Sequence, residues 1–334
     1  MESCKNVILL GVSAFALCAL PGSRGAGDCV YLAYWDTTIG DWFNPLNWGP
    51  SHNQVPDCGT CCGHPWEVDI NNGGTAQIGS GTAEACEMFL GKDTAQQSGK
   101  LSVSGGTLNQ CGDIFVGNYG TGTLSITNGS VNTQFGAHIA AQAGSNGSAT
   151  VDGTNSQWTV TAGGAGLNVA GTDASAGGTG LLTVTNGGTV TAASVHAWKS
   201  GTLTGNGTVS TTNGTTIDGT LEPNWTLTIT GNLTFEGDNA TMQCSVTPDN
   251  LGSIDADVSG GATLTGKVSV TMTGTFTPGT RFTLLHAAGG RINDSKFSSQ
   301  SIKFPTGQGF TPKITYDANN VYLCLVPTAG VGCN

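Results

Sequence analysis

Three groups of residues have the types and spacing of a chemical site. Cys58-x-x-Cys61-Cys62-x-His64 has the thiol and imidazole spacing that holds a metal. Asp255-x-Asp257 alternates along an extended chain, so both carboxylates face one way; with Asp249 and Glu236 they would offer oxygen ligands to Ca2+. Trp35, Trp42 and Trp48 are spaced like a platform on which sugar rings stack. Each group also has a structural reading, which is preferred: disulfides, an acidic surface and the core of a terminal cap. No second ligand pair follows the cysteines at similar spacing.

Acid–base chemistry has few candidates. From Thr121 to Ile217 the charged residues are Asp152, Asp173 and Lys199, joined by the titratable His138 and His196. Asp152 precedes a Gly and Asp173 lies in a Gly-rich stretch, where Asp is favoured for backbone reasons. His196, Trp198 and Lys199 read as one solvated loop. His52, His64 and His286 have no evident partner. No Ser-His-Asp order with a local motif, no phosphate-binding Gly loop and no HExxH is found. The expectation is a chain with no cofactor and no enzymatic activity.

The composition says what kind of element must carry these residues. The 334 residues include 53 Gly and 47 Thr, but only 11 Lys+Arg and 22 Asp+Glu. Gly and Thr are poor helix formers and the good ones are scarce, so a helical fold is excluded. The formal net charge of -11, without a basic cluster, argues against nucleic acid as a partner. A hydrophobic content of 37% with low charge is not that of a disordered chain.

The N-terminus reads as an export signal over residues 1–27: Lys5, then an apolar run from Val7 to Leu20, then small residues around Pro21 to Gly27. The run is short for a membrane span, and none is expected after signal removal. Nine cysteines remain beyond it, and in an exported chain they read first as disulfides. Cys86 and Cys111 lie 25 residues apart and could pair across neighbouring repeats; Cys324 and Cys333 could tie down the tail.

The middle of the chain repeats itself. Leu101-Ser-Val-Ser-Gly-Gly, Leu124-Ser-Ile-Thr-Asn-Gly, Ala149-Thr-Val-Asp-Gly and Leu182-Thr-Val-Thr-Asn-Gly start 23, 25 and 33 residues apart. A second motif is interleaved with them. It starts at Met88, Ile114, Ile139, Leu167 and Val195, and segments at Leu203 and Leu227 continue the rhythm. Each unit alternates apolar residues with Thr or Ser, then turns at Asn-Gly, Gly-Gly or Asp-Gly. Units of about 25 residues with two or three short strands fit one coil of a parallel β-solenoid better than a propeller blade.

These segments resemble the β-strand repeats of bacterial autotransporter passenger domains. The resemblance is carried by Gly120-Thr-Gly-Thr-Leu-Ser-Ile-Thr-Asn-Gly129, Gly178-Thr-Gly-Leu-Leu-Thr-Val-Thr-Asn-Gly187, the start from Trp35-Asp36 through Trp48 to Pro56, and Phe276-Thr-Pro-Gly-Thr-Arg-Phe-Thr-Leu-Leu285. It covers roughly residues 33–326. It implies a right-handed parallel β-helix at the bacterial surface, often in adhesion or as a stalk. The passenger pattern leads into a membrane barrel. None is read before Val331-Gly-Cys-Asn334, so the expectation is a passenger without its translocator.

The expected organisation is a signal at 1–27, a Cys- and Trp-rich cap at 28–78, β-helix repeats at 79–235, and terminal coils with a β cap at 236–334. The expected role is a secreted or cell-surface adhesin or matrix protein meeting host-cell, matrix or polysaccharide surfaces. The alternatives are a β-helix polysaccharide lyase or hydrolase, and a carbohydrate binder using the N-terminal tryptophans.

Overall fold

The computed structural model describes residues 16–18, 29–49, 54–57, 66–161, 166–329 and 332–333. Within them the strands form three sheets of 12, 11 and 11 strands. Between the two ends the chain visits one 11-stranded sheet (sheet B, with Thr121–Thr127), then the other (sheet C, with Ser130–Thr133), then the 12-stranded one (sheet A, with Ala137–Ile139), and returns to sheet B one rung on. Thr121–Thr127, Ser130–Thr133 and Ala137–Ile139 make one such coil. Neighbouring rungs pair parallel, Leu124 with Leu101 and Ala149, and Ala149 with Leu182. The architecture is a parallel β-solenoid.

Alternation explains the core. In each strand every second side chain points inward and stacks on the same position one rung away. In sheet B the inward rows are Leu101, Leu124, Ala149, Leu182, Leu203 and, two residues on, Val103, Ile126, Val151, Val184, all buried. Rung volumes compensate. The coil with Ala149 in sheet B carries Trp158 in sheet C, whereas its neighbours combine Leu124 with Val131 and Leu182 with Val190. A small residue beside a large one keeps interior density near constant.

Two points of register differ from the expectation. The second motif aligns Ile114 with Ala137, not with Ile139. A slip of two residues keeps every side chain on its face, so alternation alone cannot exclude it. Leu203 and Leu227 are not equivalent: Leu203 pairs with Leu221 in sheet B, and Leu227 with Ala256 in sheet C. Level positions on successive sheet-A strands are Met88, Ile114, Ala137, Leu167, Val195, Thr215 and Leu233, so the rung length varies between 18 and 30 residues.

Parallel pairing also runs through the Cys- and Trp-rich stretch at 28–78. Cys29–Trp35 pairs parallel with Trp66–Ile70, and that strand with Glu87–Leu90. Ala16–Cys18, within the expected signal, pairs antiparallel with the start of Cys29–Trp35. At the other end, Phe310–Tyr316 and Asn320–Pro327 form an antiparallel hairpin on Arg281–Ala287. The Cys324–Cys333 disulfide fastens the chain after it.

Candidate functional site

Sheet A strands are mostly three or four residues long, so each offers about one outward side chain. In register these make a row: Tyr34, Asp69, Phe89, Phe115, His138, Asn168, His196, Thr216. Although it faces out from the solenoid, much of the row is covered. Asp69 is 3% exposed, His138 6% and Asn168 3%.

The row begins in an ionic cluster. Lys92 Nζ contacts the Glu67 carboxylate and lies 3.4 Å from Asp69 Oδ2 and 4.6 Å from the Phe89 ring centroid. Burial, helped by Asp93 and Glu87, pushes Asp69 up to about 7. The Lys92 ammonium, shared with Glu67, opposes this rise only in part. In the middle, Phe89 and Phe115 stack with centroids 4.8 Å apart, and His138 stacks on Phe115 at 5.0 Å. Burial lowers the His138 pKa, against the pull of Asp173 and Asp113.

The far end is a hydrogen-bonded group. Asn168 Nδ2 donates to Asp173 Oδ1 (2.7 Å), and Trp198 Nε1 donates to Asn168 Oδ1 (3.1 Å). His196 stacks on Trp198 at 3.9 Å, and its Nε2 lies 3.2 Å from Asp218 Oδ2. The expectation of a solvated loop is corrected here: His196 is the outward residue of strand Val195–Ala197. A strand with one outward residue shows no alternation of its own.

Sheets B and C present a different surface. On sheet C, Thr107, Ser130, Gln157, Thr189, Thr208 and Thr228 form one outward row, and Asn109, Asn132, Thr159, Thr191, Ser210 and Thr230 the next. Asn132 donates to Asn109 along that row (2.9 Å). On sheet B a shallow depression of about 210 Å³ is lined by Thr121, Thr123, Ser148 and Leu181 over a floor of Gly122, Gly147 and Gly180. Rungs are ~4.8 Å apart and alternate residues ~6.8 Å apart, so these small polar groups form a regular grid.

The residues singled out by spacing meet different fates. Trp35, Trp42 and Trp48 are buried in edge-to-face contact, with centroids 4.9 and 4.7 Å apart, and Trp48 Nε1 donates to Trp42 O (2.8 Å). Their faces are closed to a sugar, which corrects the platform expectation. Asp255 and Asp257 are split. Burial pushes Asp255 up to about 7 beside the buried Cys244 thiol, whereas Asp257 faces solvent and pairs with His286 at 2.8 Å. The strand Ile254–Val258 carries both, but the core encloses only the first. Among the described residues no group of three or more His, Cys, Asp or Glu is placed to hold a metal.

Cys58, Cys61, Cys62 and His64 lie outside the described residues. Cys86 and Cys111 fall on adjacent rungs, yet the expected bond between them is not formed. Cys111 is disulfide-bonded, while Cys86 is a buried thiol. Register brings them level, with Cys86 buried and Cys111 half-buried. Among the described residues no helix is long and apolar enough to cross a membrane. No family model and no curated protein matches the chain.

Proposed function

We propose that the chain is an exported, right-handed parallel β-helix of the autotransporter-passenger type. It acts at the cell surface or in the surrounding matrix as a non-enzymatic adhesin or structural protein. The observation that carries this reading is the pair of outward rows on sheet C, six rungs of Thr, Ser, Asn and Gln without a charge. Such a grid suits many weak hydrogen bonds to an extended neutral surface, and avidity then builds from repetition. The right hand is the usual hand of parallel crossovers. Beads coated with the purified chain should attach to cells or to immobilised polysaccharide, and removing the gene should reduce attachment. If neither changes, adhesion is wrong and a purely structural role stands.

One observation favours a second reading, a β-helix polysaccharide hydrolase. A carboxyl raised to about 7 at Asp69 stands two residues from Glu67 on the same strand face, with Glu87 level with Glu67 on the next rung. Neighbouring carboxyls, one held protonated and one ionised, are what acid–base hydrolysis requires. Incubation with acidic and neutral polysaccharides decides it: released oligosaccharides support a hydrolase, and their absence ends that reading.

A further inference from the structure

Among the described residues the most exposed tryptophan is not one of the N-terminal three. Trp225 is 50% exposed and sits at φ 68°, in the left-handed region that a bulky side chain rarely adopts. Earlier turns at the same corner, from sheet B into sheet C, use residues that tolerate this backbone: Asn128 at φ 54°, Gly153 at 98° and Asn186 at 53°. The fold therefore asks for a small or amide residue here. It carries instead a large aromatic face in water on a strained backbone, a combination characteristic of binding sites.

The neighbouring turns supply polar partners. Asn224 N donates to Gly205 O (2.8 Å), which sets the Trp225 turn one rung from Asn206. Asn206 Oδ1 accepts from Asn186 N (2.8 Å), and Asn186 Nδ2 donates to Asp152 Oδ1 (2.7 Å). Amide and carboxylate groups thus follow the corner one per rung, beginning one rung from the Trp225 turn.

We infer that Trp225, with Asn206 and Asn186, forms a binding site for a neutral saccharide. An aromatic face takes the apolar C–H face of a sugar ring, and planar amides both donate to and accept from its hydroxyls. Lys199 is the only lysine or arginine from Thr121 to Gly266, a span that includes Trp225, so an anionic sugar would find little countercharge. The inference rests on the surface-binding reading but narrows it to one discrete site and one ligand class.

The test is calorimetric titration of the full chain with cello-, xylo-, manno- and chito-oligosaccharides, with oligogalacturonate as the anionic control. At least one neutral oligomer should bind, and the anionic one should not. Trp225→Gly should weaken binding at least about tenfold and raise Tm by about 2 °C, because glycine relieves the strained φ. Trp225→Phe should keep part of the affinity. The inference is overturned if no neutral oligomer binds, if Trp225→Gly binds undiminished, or if that variant loses stability along with binding. Coated beads that still adhere when no oligomer binds would leave the surface reading standing and remove only this site.

Discussion

Gly122 lies level with Gly147 on the next rung of sheet B, and neither position has room for a side chain. A Cβ on Gly122 would strike Gly117 N, and one on Gly147 would strike Val116 O. Gly99, Gly180 and Gly201 continue the row, and each faces the backbone where a sheet-A strand ends. These glycines let the chain turn tightly from sheet A into sheet B. Gly147→Ala should therefore destabilise by about 3 kcal/mol, as overpacking against fixed backbone does. Gly79→Ala, whose Cβ meets only Ser104 Oγ at 4.0 Å, should be near neutral. Urea midpoints of the two variants compare them directly; equal effects would refute the tight corner.

Thr215 occupies an inward row between Val195 and Leu233, is fully enclosed, and its Oγ1 has no hydrogen-bond partner. A buried hydroxyl without a partner costs about 1–3 kcal/mol. Thr215→Val keeps the shape and removes that cost, so it should stabilise by about 1 kcal/mol. A lower thermal midpoint for the variant would contradict the assigned register.

Burial raises Asp69 and Asp255 from 3.8 to about 7. In the unfolded chain both ionise near the ordinary value, so between pH 4 and 7 unfolding releases protons. The stability these groups contribute is full below about pH 4, falls as pH rises through that window, and is gone above about 7. Each accounts for at most about 4 kcal/mol. Urea midpoints from pH 4 to 8 should decline, and Asp69→Asn with Asp255→Asn should flatten the decline. A stability rising with pH across this window in the wild type would show that the two carboxyls are not held protonated.

Much of this fold is legible because Leu-x-Val and Leu-x-Ile alternation with Asn-Gly turns recurs along the chain. The rows through Leu101, Leu124, Ala149 and Leu182 align as their motifs do. Ile139 was open to misalignment because a two-residue slip leaves alternation unchanged. The sheet-A row was hidden for a related reason. Phe89, Phe115, His138, Asn168 and His196 are the middle residues of short motifs separated by unequal turns, so only rung-by-rung alignment puts them together. Trp42 and Trp225 show the limit most plainly: spacing left the first open to a sugar-platform reading beside the preferred cap core, but burial closes its face and leaves the second exposed.

The most direct measurement is attachment of a variant whose grid is spoiled while its core is untouched. Thr191, Ser210 and Thr230 stand on successive rungs of one sheet-C row. Changing all three to Glu should leave the β circular-dichroism spectrum and the urea midpoint close to wild type. Attachment of coated beads to immobilised neutral polysaccharide should fall at least about tenfold. A wild-type chain that attaches to no cell or polysaccharide surface, or a folded triple variant that attaches as well as wild type, would contradict the proposal that the uncharged grid is the binding surface.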